Sequence, residues 1–175
     1  MSETEKSEAH RGTGKWAQAG VPHKGWSCVD IEDLGEPAVT CEMCETQEIR
    51  FVHHMTHPNY PGELGVGCVC AGRMEENYDA ARQRETTARN QAGRKRKWLS
   101  RTWRVSFSGN EFLNTDGYNI VVFQQSSGPQ RGSWTFRVTN RGTLDSLQAR
   151  KPYPSSDAAK LRAFDAMIWM KERGR

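Results

Sequence analysis

Four of the five cysteines stand in two close pairs, Cys41-x-x-Cys44 and Cys68-x-Cys70, and this pairing constrains the fold of residues 41–70 more than any other feature. Two thiolate pairs joined by a short loop supply four soft ligands, the set that tetrahedral zinc prefers. The first pair has knuckle spacing, in which the chain turns between the cysteines and both sulfurs face one point. The second pair is tighter, but Gly65-Val66-Gly67 before it and Ala71-Gly72 after it leave the backbone free to turn sharply. Cys41, Cys44, Cys68 and Cys70 are therefore the expected zinc ligands. Free buried thiols in a reducing compartment, or a redox Cys-x-x-Cys, are the competing accounts. Neither explains two pairs, and no β-α-β pattern surrounds the first. Cys28 stands alone and reads as a buried apolar thiol.

Three histidines lie between the pairs, in Phe51-Val52-His53-His54-Met55-Thr56-His57-Pro58. One of them could replace Cys68, giving three cysteines and one histidine. A knuckle followed by His53-His54 also resembles the HNH endonucleases, and that resemblance implies a histidine base beside a divalent ion that holds phosphate. The following helix has no histidine, and Asn77 and His57 are the only substitutes for the remaining residues of that pattern.

Charge is uneven along the chain. Residues 1–80 carry 6 basic and 14 acidic side chains, and residues 81–175 carry 19 and 7, for a total of +4. A basic half points to an anionic partner. The steepest stretch holds Arg82, Arg84, Arg89, Arg94, Lys95, Arg96, Lys97, Arg101 and Arg104 against Glu85 alone. Either it is a solvated helix face that suits the helix dipole, or it contacts the phosphates of a nucleic acid. Trp98 and Trp103 favour the second account, because arginines interleaved with rings suit exposed bases.

The hydrophobic content is 35%, below the ~45–50% usual for a slightly different residue set, so the core or cores are small. No run approaches the ~18 apolar residues of a membrane span, and Met1-Ser2-Glu3-Thr4-Glu5-Lys6 has no apolar signal core, so a cytoplasmic protein is expected. Residues 1–20 are polar apart from Trp16 and read as a flexible tail. Residues 21–73 read as the zinc-binding module, with a strand near Trp26–Ile31, or a helical turn at Asp30–Leu34. A strand led by Ile49 and Phe51, a turn at Asn59-Tyr60-Pro61-Gly62 and a strand from Leu64 to Val66 follow. Residues 74–100 have the composition of a basic connector helix. From 101 to 175 the periodicity is β-β-β-α, with strands at Trp103–Phe107, Tyr118–Phe123 and Trp134–Val138. A helix capped at Ser155 or Ser156 follows them. The expected class is α+β: a small zinc knuckle, a connector helix, and a three-stranded antiparallel sheet, with room for a fourth strand, packed on one helix. Arg104, Arg137 and Arg131 would lie on the exposed strand face.

The order Gly20-Val21-Pro22-His23-Lys24-Gly25-Trp26, Cys41-Glu42-Met43-Cys44, Ile49-Arg50-Phe51-Val52-His53 and Val66-Gly67-Cys68-Val69-Cys70-Ala71-Gly72 resembles a family of small, largely uncharacterised bacterial and phage proteins with a treble-clef-like zinc knuckle. Trp103-x-x-Ser106-x-x-Gly109-Asn110 and the final helix also fit it. The resemblance implies zinc at the cysteines and one continuous protein, and it brings no activity with it. The rhythm Ala158, Ala159, Ala163, Asp165 is similar to the last helix of the plant ethylene-response-factor DNA-binding domain, although core packing alone produces the same pattern.

Three functions follow from these residues. The first is a non-enzymatic zinc protein that binds DNA or RNA through the basic helix and the C-terminal sheet. The second is a protein-interaction adaptor of phage or mobile-element origin, and the third is an HNH-like nuclease that uses His53 or His54.

Overall fold

Strand β1 (Ser27–Asp33) opens the first of two units, Met1–Gly93, in the computed structural model, which describes residues 12–174. A short hairpin of β2 (Val39–Thr40) and β3 (Glu48–Ile49) follows, then β4 (Phe51–His57) and β5 (Tyr60–Val66). The antiparallel sheet has the order β1-β4-β5, so β4 is central. Its Phe51, Val52, His53 and Met55 are all buried, which covers both faces of the strand rather than one. The turn expected at Asn59–Gly62 instead lies at Pro58-Asn59, and Tyr60 already pairs with His57. The alternative of a helical turn at Asp30–Leu34 is replaced by β1.

The connector helix expected from residue 74 is two helices. Helix α1 (Cys68–Met74) starts six residues earlier, and α2 (Tyr78–Arg96) follows a break. Glu76 takes a left-handed φ of 55°, and the Asn77 carboxamide oxygen accepts the Ala80 N–H at 3.0 Å to cap α2. The corner depends on Gly72, where a Cβ would stand 2.7 Å from the Tyr78 ring. Residues 1–11 of the expected tail lie outside the described residues. Residues 14–17, however, form a 3-10 turn that buries Trp16, so this stretch belongs to the core with Met43, Cys70 and Met74.

The second unit, Arg94–Arg175, holds β6 (Arg104–Val105), β7 (Glu111–Thr115), β8 (Tyr118–Gln124), β9 (Trp134–Asn140), β10 (Ser146–Gln148) and α3 (Ser156–Glu172). The strands run in the order β10-β9-β8-β7-β6, an antiparallel meander of five rather than the three or four expected. Asp116 and Gly117, with φ of 52° and 82°, form the turn between β7 and β8, as a tight hairpin requires. Helix α3 is capped by Ser155, whose hydroxyl oxygen accepts the Ala158 N–H. It covers one sheet face with Ala159, Ala163, Phe164 and Met167 against Ile120, Val122, Phe136 and Val138. The alanine rhythm is therefore core packing.

A part-buried ion pair ties α3 to β7. The Lys160 ammonium, with a side chain 9% exposed, donates to Glu111 at 2.6 Å, and the Ser156 hydroxyl donates to the same carboxylate. Burial pushes the Glu111 carboxyl up, but Lys160 and Ser156 outweigh it and hold the group below the usual carboxylate range. A depressed folded pKa stabilises above the unfolded value of ~4.3, and that stability is lost as pH falls through the folded value. Glu111→Gln is expected to cost about 2 kcal/mol at pH 7, because it leaves the ammonium without its anion. The same variant should lose stability less steeply between pH 5 and pH 3 than the parent; urea titrations across that range check both points.

Candidate metal centre

The β2–β3 hairpin makes the knuckle. The Cys41 N–H donates to the Gln47 carbonyl at 2.8 Å, and the chain reverses through Glu45, whose φ is 56° and whose N–H returns to the Cys41 carbonyl. Cys70 comes from the first turn of α1. The sulfurs of Cys41, Cys44 and Cys70 lie within 4.8 Å of one another, all three residues are buried, and none is in a disulfide. The Cys70 thiol, which donates to Cys41, and backbone N–H groups of Cys44, Gly67 and Met43 hold the Cys41 thiol down to about 5. The same contact, with burial, pushes Cys70 up. The 3-10 turn lies directly on the knuckle: a Cβ on Gly14 would stand 2.7 Å from the Cys44 carbonyl, and the Lys15 N–H donates to the Met43 carbonyl at 2.9 Å. The Trp16 indole N–H is buried and faces Cys70, where it opposes the rise of that thiol. Three thiols, backbone donors aimed at Cys41 and an indole N–H facing Cys70 make a surrounding that fits a metal thiolate centre.

Cys68 is not part of this group, so the four expected ligands are not brought together. Gly67 is the N-cap of α1, so both Cys68 and Cys70 are helical. Residues two apart on a helix point about 200° apart around its axis, so the two sulfurs leave on opposite sides. The sharp Gly-rich turn expected around this pair is a helix start instead. Cys68 lies with His53 and Glu85, whose ligand atoms are again within 4.8 Å of one another. His53 is fully buried, and among the described residues neither ring nitrogen has a hydrogen-bond partner; its Nε2 is 3.7 Å from a Glu85 oxygen. That contact outweighs burial and holds Glu85 below the usual carboxylate range, with Arg89 adding to the effect.

No histidine of the His53–His57 stretch joins the three cysteines. His54 Nδ1 is 2.6 Å from Glu63 and its Nε2 3.4 Å from Glu32, while His57 Nδ1 accepts the Asn59 N–H at 3.0 Å. Asn77 serves as a helix cap. His53, His54, His57 and Asn77 thus have four separate surroundings.

Comparison with known protein families, with curated proteins and with solved structures finds no match. The chemistry of the residues therefore carries the functional argument alone.

Several of the basic residues are engaged by neighbouring side chains. Arg84 is bound to Glu75, Arg89 to Glu85 at 2.5 Å, Arg94 to Asp116 at 2.8 Å and Lys95 to Asp165 at 2.6 Å. Arg101 donates to the Thr115 hydroxyl and lies over the Trp98 ring. Arg82, Arg96, Lys97 and Arg104 are exposed. In the second unit the register places Arg104, Phe112, Val121, Arg137 and Gln148 in one row across the five strands, on the face opposite α3. Phe107, in the turn between β6 and β7, is fully exposed. Arg131 sits in the β8–β9 loop rather than on that face.

Proposed function

We propose that the protein is a non-enzymatic zinc protein that binds nucleic acid through the open face of its C-terminal sheet. Zinc on Cys41, Cys44 and Cys70 supplies folding energy that a small core lacks. The order of knuckle, hairpin and helix, with one ligand in the first helical turn, supports a treble-clef-like module. The observation that carries nucleic-acid binding is the Arg104–Phe112–Val121–Arg137–Gln148 row. Neighbouring strands stand ~4.8 Å apart, so its two guanidinium groups start ~14 Å from each other with apolar residues between them. That spacing suits phosphate contacts on either side of stacked bases. Phe107 adds an unsupported ring at the edge of the sheet. Arg96 and Lys97 extend the positive charge, whereas Arg84, Arg89, Arg94 and Lys95 are partly neutralised by their carboxylates.

Fluorescence anisotropy of labelled single- and double-stranded DNA and RNA over a salt series, with zinc-loaded protein, tests this function. Affinity should fall linearly in log–log salt, and Arg104→Ala and Arg137→Ala should each reduce the slope by about 1. Phe107→Ala should weaken single-strand binding by about 5- to 100-fold if the ring carries one base. Absence of binding at low salt would leave the adaptor as the better account, and a partner would then be sought by pull-down.

A further inference from the structure

We propose that His53, Cys68 and Glu85 form a second metal site, distinct from the three-cysteine centre, with a fourth position open to an anionic oxygen ligand such as phosphate or a carboxylate. Three separate elements bring these residues together: β4, the first residue of α1, and the second turn of α2. Their ligand atoms lie within 4.8 Å of one another. Bonds of 2.0–2.3 Å to one tetrahedral ion place ligand atoms ~3.3–3.8 Å apart, so closure requires a shift of about 1 Å.

The imidazole is the strongest indication. His53 is completely enclosed, and among the described residues neither ring nitrogen has a hydrogen-bond partner within reach, an unfavourable state for a buried polar group. An ion on Nε2, the nitrogen that faces Glu85, would satisfy it. Glu85 is already oriented for that role. Arg89 holds one carboxylate oxygen at 2.5 Å, and the other oxygen faces His53. A hydrogen-bonded outer carboxylate oxygen is the usual way a metal ligand is fixed.

One nitrogen, one sulfur and one oxygen suit zinc and neighbouring divalent transition ions rather than calcium or magnesium. Three protein ligands leave one tetrahedral position vacant here, as they do at the three-cysteine centre. Cys68 and Glu85 also line a pocket of about 320 Å³, with Ile49, Phe51, Arg50 and Arg89 around it. The two guanidinium groups flank the Phe51 ring at 4.8 and 5.5 Å from its centre. Arg50 is paired with Asp33 at 2.6 Å and Arg89 with Glu85 at 2.5 Å, so an oxyanion on the metal would share both guanidinium groups with those carboxylates.

The test uses the full chain, purified from zinc-supplemented culture, with metal counted by mass spectrometry and then exchanged for Co²⁺. The parent should hold two equivalents. Glu85→Gln and His53→Gln should each retain one, with native far-ultraviolet circular dichroism; Cys44→Ser, which unfolds the unit that holds both sites, should lose both. Loss of the second site should remove about a quarter of the thiolate-to-cobalt absorbance, one thiolate of four. Inorganic phosphate and acetate, added separately, distinguish the two ligand sources: the one that binds shifts the visible cobalt bands of the parent and not those of Cys68→Ser. One equivalent in the parent, or two in folded Glu85→Gln, overturns the site. Bands that neither anion moves overturn its open position.

Discussion

Cys44→Ser is expected to strip the metal from the knuckle and unfold the first unit, while the second keeps its circular dichroism and its cooperative melting. Structural zinc contributes apparent binding energies of about 10–16 kcal/mol in small modules, whereas whole domains are stable by only about 5–15 kcal/mol. The substitution removes no appreciable volume, so the loss would come from coordination and not from a cavity. The three sulfurs are otherwise buried thiols with one another as neighbours, a poor substitute for an ion. Zinc content and two-dimensional NMR of the variant measure the effect. Chelation of the parent should reproduce it without any mutation, which separates metal loss from a packing defect. A variant that keeps its full metal content and melts like the parent would remove Cys44 from the ligand set.

The second large effect is expected in the other unit. Trp98 is 1% exposed and is among its largest buried side chains. It packs edge-on against Phe164 and Trp103, with ring centres 4.9 and 5.8 Å away, and its indole N–H donates to the Lys160 carbonyl at 2.8 Å. Trp98→Ala should cost about 4 kcal/mol through lost burial and the cavity left behind. For a unit of this size that lowers the Tm by roughly 20 °C. Trp98→Phe retains most of the apolar contact and gives up the hydrogen bond, for about 1 kcal/mol plus the volume difference. Near-ultraviolet circular dichroism on heating reads both variants. A Trp98→Ala protein within a few degrees of the parent would mean that the ring is not a core element.

The sequence was most informative where periodicity is strong. Tyr118–Phe123, Trp134–Val138 and the α3 stripe of Phe164 and Met167 were legible because apolar residues recur with the period of the element that forms. Glu111–Thr115 and Ser146–Gln148 were not: five and three mostly polar residues carry too little alternation, and pairing with neighbours decides them. Trp16 was assigned to a tail because its surroundings are polar, yet a lone large ring can be recruited by a distant knuckle. At the site, cysteine spacing located three sulfurs correctly. It failed at Cys68, because spacing alone does not tell a helix start from a Gly-rich turn. Glu85 was visible as the single carboxylate in a basic stretch, and its juxtaposition with His53 needed the tertiary fold.

The two-residue step between Cys68 and Cys70 sends the two sulfurs to different side-chain clusters. Turning about 100° per residue, a helix that begins before both cysteines sends them to opposite sides, and each can serve a different centre. One extra residue beside Val69 would raise their separation to about 300°, which is the same side of the axis. The pair would then converge on the knuckle as a four-sulfur set, and the His53 pocket would lose its thiolate. A single insertion would therefore exchange an open coordination sphere for a closed one, with no ligand residue replaced.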